Sequence, residues 1–366
     1  MYRETAGWLL NPQGADELLL VESLAEMGFS DPDQASKSWR TILSGGSAAA
    51  VSADLLSSLL GAMSQTAAPD MSLGNFRRCL QHWEEPGVWL EFLSRRPRSV
   101  EILVRLFVNS QFLTELLVRR PEYLERLTES KRLAEVRSRD EFLGDMREAA
   151  GAVGAAGASV ELQLDAVRRV QRWELLRIAA CDCFGLMDLR RVTLQLSLLA
   201  DATVQAVLDL VAGAGSDGGH DGGCRIAVVA LGKLGGEELN YSSDIDLLFL
   251  SEEPTVDTLR VAQQLVRELG RMTSEGFLYR VDMRLRPWGR SGPLVTDVAA
   301  WVEYRETHAA AWELQALVKA RVIAGDRSLG EVVLSGVTSF LVERGASGGR
   351  RTVREMKRRI EEQLPG

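Results

Sequence analysis

From residue 16 to residue 210 apolar side chains recur at helical spacing, segment after segment, and at Arg225 that character changes. This division constrains the fold most. A chain of short amphipathic helices buries its apolar stripes by packing helix on helix. Glu17 to Met27 carries Leu18, Leu19, Val21 and Leu24, and Gly28 stops it. Ser30-Asp31-Pro32 reads as an N-cap with proline at the first helical position, opening a helix from Asp33 towards Leu43. Further helices are expected over 50–63, 73–82, 88–95, 99–106, 110–118 and 121–127, with no catalytic constellation among them. Residues 151–159, rich in Gly and Ala, read as a connection. A long helix is expected over 160–180, with Arg168, Arg169, Arg172 and Arg177 read as a solvated face. Another follows over 188–210, and residues 213–223 are glycine-rich enough for a flexible linker.

Beyond Arg225 the pattern is mixed. Residues 226–231 form a short apolar run with β-branched members, expected as a buried strand. A turn-rich loop spans 232–243, a second strand 245–250, a helix 258–272 and a third strand 277–285, stopped by Pro287. Residues 288–293 read as a loop, 298–324 as one long helix and 352–364 as another, charged helix. The expected class is α+β: a helical region over 1–150, a catalytic domain with its preceding long helices over 151–330, and the start of a further helical domain over 331–366.

The chemistry concentrates between the first strands. Residues two apart on a strand point to the same face, so Asp244 and Asp246 project together. Two such carboxylates repel unless a cation lies between them, and Mg²⁺ suits hard oxygen ligands. Gly235 and Gly236, just upstream, let a backbone approach a phosphate. Lys233 and Ser243 add a cation and a hydroxyl to that loop. Asp282, Arg284 and Arg286 repeat the spacing of two on the third strand. A third carboxylate would complete a two-metal site, and the arginines would neutralise phosphate. These parts suit in-line displacement at phosphorus. The plainer readings are a solvated Asp-x-Asp turn and arginines in surface ion pairs.

Composition narrows the alternatives. Apolar residues make up 46% of the 366, so a sizeable core is expected. The net charge of −8 argues against nucleic acid as the main partner. Cys79, Cys181, Cys183 and Cys224 are too scattered for a disulfide scaffold and read as reduced core thiols. His82 and His308 read as surface or packing residues, and His220 falls in the linker. No signal peptide is visible, and Asp201 and Asp209 spoil the most apolar stretch, 194–211, as a membrane span. A cytoplasmic protein with no membrane partner is expected.

The stretches Leu231-Gly-Lys-Leu-Gly-Gly-Glu-Glu-Leu-Asn-Tyr-Ser-Ser-Asp-Ile-Asp-Leu247 and Tyr279-Arg-Val-Asp-Met-Arg-Leu-Arg-Pro287 closely resemble the bacterial glutamine synthetase adenylyltransferase family. Met27-Gly-Phe-Ser-Asp-Pro-Asp33, Glu174-Leu-Leu-Arg-Ile-Ala179, Gly185-Leu-Met-Asp188 and Trp312-Glu-Leu-Gln-Ala-Leu-Val-Lys-Ala-Arg321 are similar to family segments too. The resemblance implies a DNA polymerase β-like nucleotidyltransferase sheet with flanking helices. It implies metal-ligand roles for Asp244, Asp246 and Asp282, and a phosphate-facing loop at Gly235 and Gly236. It also implies Mg²⁺, glutamine synthetase as protein substrate, ATP, ADP and phosphate as small substrates, and a PII-type signal protein as regulator. Family enzymes carry two such units in tandem, one removing AMP from a tyrosine by phosphorolysis and one attaching it from ATP. Asn240 and Met283 stand where the attaching unit tends to have Gly and Ala, so the removing type is favoured. Family members continue past the place where this sequence stops, so a fragment or a reduced enzyme is expected. The alternatives are the attaching activity, a non-catalytic regulatory piece, or a nucleotidyltransferase for an antibiotic or RNA.

Overall fold

The structure, a computed structural model, describes residues 1–11, 16–45, 51–129, 133–213, 225–310, 313 and 316–345. The linker expected at 213–223 and the helix expected at 352–364 lie outside them, except for Gly213. The chain divides into two compact units.

The first unit, Met1–Glu135 with Leu176–Met187, is helical among its described residues. Its helices are α1 (Tyr2–Leu10), α2 (Glu17–Glu26), α3 (Pro32–Ser44), α4 (Ala53–Ser64), α5 (Pro69–His82), α6 (Pro86–Ser94), α7 (Pro97–Asn109), α8 (Gln111–Arg119) and α9 (Glu122–Glu129). Four of these, α3, α5, α6 and α7, begin on proline, whose missing N–H costs nothing in a first turn. Asp31, Ser52 and Ser110 cap α3, α4 and α8 by accepting from backbone N–H groups. Trp39, Leu56, Leu59, Phe76 and Phe107 form the centre of its core and are fully buried.

The second unit is Val136–Leu175 with Asp188–Gly366. Here α10 (Arg139–Ala155) opens on a capping box of Ser138 and Glu141. It runs through half of the segment expected to be a connection, because alanine is the strongest helix former. Next come α11 (Val160–Cys183), whose last turns belong to the first unit, and α12 (Leu189–Gly213). By length and composition α12 is apolar enough to cross a membrane. It packs instead as a core helix, against α10, the helix Val256–Gly270 and the strand Arg321–Gly325.

The sheet is mixed and five-stranded: β1 (Ala227–Leu231), β2 (Ile245–Ser251), β3 (Val281–Asp282), β4 (Val295–Asp297) and β5 (Arg321–Gly325). The order is β3-β2-β1-β5, and β4 also pairs with β2. Strand β1 is antiparallel to both β2 and β5, while β3 and β4 run parallel to β2 at its two ends. Helices α13 (Gly232–Gly235), α14 (Val256–Gly270), α15 (Val298–Thr307) and α16 (Arg327–Gly345) complete the unit. On one face Ala227, Val229, Leu231, Leu248 and Leu250 pack against Trp301 of α15 and Leu329, Val333 and Val337 of α16.

Four expectations are corrected. The helix expected over 298–324 ends at Thr307, and Arg321–Gly325 is strand β5, held by pairing with β1. The third strand is shorter than 277–285: the N–H groups of Leu278 and Tyr279 both donate to the Leu269 carbonyl, leaving Val281 and Asp282 to pair. Strand β4 was not foreseen. The arginine row of α11 is largely internal: Arg168, Arg172 and Arg177 are buried and Arg169 sits at a boundary. Arg168 donates to the Glu268 carbonyl at 2.9 Å, and Arg172 to the carbonyls of Glu275 and Phe277. Within the first unit Arg177 donates to the carbonyls of Leu133 and Glu135.

Candidate active site

Strand pairing brings the expected carboxylates together. Asp246 lies opposite Asp282 in the parallel register of β2 and β3, and opposite Leu231 in the antiparallel register of β1 and β2. Asp246 and Asp282 therefore share a face, with Asp244 one pleat along. That face carries the apolar cluster of Leu248 and Leu250 farther along the strand. The carboxylates stand at its open end.

The turn after β1 closes on Asp246. Gly232 has φ +57°, and a methyl group there would run into Asp246 Oδ2. One helical turn follows, and Glu237 takes φ 57° to leave it. At Gly235 a Cβ would lie 2.8 Å from the Ala230 carbonyl oxygen and closer still to that of Lys319. At Gly236 it would meet the Lys319 side chain. Gly235 is thus required by close packing of the turn on the segment leading into β5, whereas at Gly236 the neighbour is the flexible end of a lysine side chain. Lys233 Nζ stands 3.5 Å from Ser243 Oγ, so both loop groups share one place.

Charge is unevenly spread. Burial, then the negative charges of Asp282 and Asp244, hold the Asp246 carboxyl above its ordinary range. The Asp282 carboxyl is held below its range, chiefly by hydrogen bonding from Arg284. Arg284 Nε donates to Asp282 Oδ1 at 3.0 Å and Oδ2 at 2.7 Å. Arg280 Nε donates to Asp244 Oδ1 at 2.6 Å and its Nη2 to the Ser242 carbonyl at 2.7 Å. Arg286 is turned elsewhere: its donors go to the carbonyls of Gly292, Met283 and Arg290, folding the loop between them.

The donor set fits a hard divalent cation: three carboxylates on one sheet face, one of them raised by burial and then by its neighbours' charge. In this conformation guanidinium groups cover two of the three, and the described residues contain no formed three-ligand group of His, Cys, Asp or Glu.

A family model described as glutamate-ammonia ligase adenylyltransferase matches residues 100–335. The chain belongs to that family. Two relatives bear the name bifunctional glutamine synthetase adenylyltransferase/adenylyl-removing enzyme. The one from Thioalkalivibrio sulfidiphilus is 31% identical over 338 residues, covering 84% of this chain and 35% of the relative. The one from Corynebacterium glutamicum is 31% identical over 361 residues, covering 93% and 34%. The chain spans about a third of the length of the curated relatives it matches.

Within this family framework some site neighbours escaped the sequence reading. Arg280 keeps the spacing of two with Asp282 and Arg284, a signal present in the strand pattern. Lys319 Nζ donates to Glu238 Oε2 at 2.7 Å beside Gly236. Glu313 accepts from the Tyr304 hydroxyl at 2.8 Å. His308 stacks on Tyr304, and His82 is exposed, with Nδ1 2.8 Å from the Arg78 carbonyl oxygen. Cys79 and Cys181 are buried thiols and Cys183 is half-buried.

Proposed function

We propose that this chain is a Mg²⁺-dependent nucleotidyltransferase acting on glutamine synthetase, and that it removes AMP from the modified tyrosine by phosphorolysis to give ADP. The observation that carries this reading is the cross-strand pairing of Asp246 with Asp282, with Asp244 on the same face and the glycine turn packed against Asp246. The relatives' names support the protein substrate. Asn240 and Met283 support the direction.

In phosphorolysis an oxygen of inorganic phosphate attacks the AMP phosphorus, and the bond from phosphorus to the tyrosine oxygen breaks. The leaving phenol has a pKa of about 10, so charge neutralisation matters more than proton donation. Asp244, Asp246 and Asp282 would hold Mg²⁺, which when bound neutralises phosphate charge and aligns the oxygens. Arg280 and Arg284 stay beside the site, and their guanidinium groups can take phosphate oxygens in place of carboxylate oxygens. Lys233, Ser243 and the Gly235–Gly236 backbone face the same charge from the loop. Arg286 supports the 283–292 loop.

Incubation with adenylylated glutamine synthetase, Mg²⁺ and phosphate tests the reading by ADP release. A parallel incubation with unmodified enzyme and ATP reads AMP-tyrosine formation. ADP from the first alone is expected. Product from the second alone reverses the direction, and product from neither sinks the proposal.

A further inference from the structure

One buried charge in the second unit is not used by the chemistry above. Asp201 lies mid-helix in α12 between Ala200 and Ala202 and is fully buried. Both its carboxylate oxygens accept from Arg321, the first residue of β5, with Nη2 to Oδ1 at 3.0 Å. The same Nη2 donates to the Leu234 carbonyl oxygen at 3.0 Å, and Arg321 Nε lies 3.8 Å from Glu237 Oε1. Leu234 and Glu237 flank the Gly235–Gly236 pair. A buried ion pair contributes little net stability against an apolar replacement of the same volume, so stability alone does not account for this one. Its third bond does. In a trans peptide the carbonyl and the following N–H point opposite ways, so fixing the Leu234 oxygen fixes the peptide plane leading into Gly235. Gly235 has no slack, being packed on the carbonyls of Ala230 and Lys319.

We propose that Arg321, locked to Asp201, is a positioning residue that braces the glycine turn for the phosphate-bearing substrate. The substrate part rests on the function proposed above; the brace itself does not. Arg321 touches no reacting atom in this account. It transmits the rigidity of α12 to the turn.

The test uses the full chain carrying Asp201→Leu with Arg321→Met, which removes both charges and the carbonyl anchor while keeping an apolar contact. Amide hydrogen exchange over 234–238 is expected to quicken by about tenfold or more, with 227–231 and 245–251 unchanged. KM for inorganic phosphate is expected to rise about tenfold with a smaller change in kcat, a split that general destabilisation would not produce. Unchanged exchange at 234–238 overturns the brace. Faster exchange with an unchanged KM overturns its role towards substrate. Should the double variant not fold, Arg321→Lys, which keeps the charge but loses the fork, decides by the same two readouts in the same directions. Wild-type protein without turnover counts against the proposed function, and the exchange arm still judges the brace.

Discussion

A methyl group at Gly232 would point into the carboxylate of Asp246, and the backbone there has a left-handed φ of +57°. Gly232→Ala should therefore cost about 1–3 kcal/mol of stability, read by urea unfolding, and lower turnover more than stability explains. Wild-type turnover in folded Gly232→Ala would show that Asp246 does not depend on this approach. The carboxylates themselves were legible, because a spacing of two on a strand leaves one possible face. Arg280 obeys the same spacing but lacked a visible partner, since Asp244 meets it only across strands. Asp201 and Arg321 were out of reach for the same reason: they are 120 residues apart in the chain.

At the scale of elements, local signals placed most helices to within a few residues at either end but did not reveal pairings. Asp31 and Pro32 marked the start of α3, where the signal lies within four residues, whereas Pro69, Pro86 and Pro97 open α5, α6 and α7 two to four residues before their expected starts. Strand β5 was hidden inside an expected helix because its stability comes from β1, which no local periodicity records. Arg168 and Arg172 of α11 read as solvated because their partners, the carbonyls between Glu268 and Phe277, lie about a hundred residues on. Arg172→Ala should remove charged hydrogen bonds to two half-buried carbonyls and cost about 2 kcal/mol, with faster hydrogen exchange over 268–280. Exchange confined to its wild-type rate there would contradict that role. Asp326 precedes α16 and accepts from Leu329 N at 3.0 Å and Ser328 Oγ at 2.6 Å. Led by the Leu329 bond, these hold its carboxyl down to about 2. A depressed carboxyl stabilises the fold above its unfolded value of 3.8 and loses that contribution as pH falls towards about 2. Asp326→Ala should then cost about 1 kcal/mol at pH 7 and progressively less below pH 4, measured by urea unfolding across that range. An unchanged cost at low pH would refute the cap.

For the molecule as a whole, the sheet does two jobs. Its apolar rows hold α15 and α16, and its open end gathers the carboxylates beside the glycine turn. Mutual repulsion there should be relieved by a cation. Mg²⁺ is expected to raise the melting temperature of the wild type and to do so less in Asp244→Asn. Equal shifts in both would place the ion elsewhere. The fold class was legible from the change of pattern at Arg225, whereas strand order and the bracing of the site depend on contacts between distant segments. The most direct test is Asp246→Asn, assayed for ADP release from adenylylated glutamine synthetase with Mg²⁺ and phosphate. Asp246 is a carboxyl already disfavoured in its charged form by burial, so the asparagine variant should melt no lower than the wild type. Its turnover should fall by about a thousandfold or more. A folded Asp246→Asn protein that releases ADP at the wild-type rate would contradict the assignment of this site.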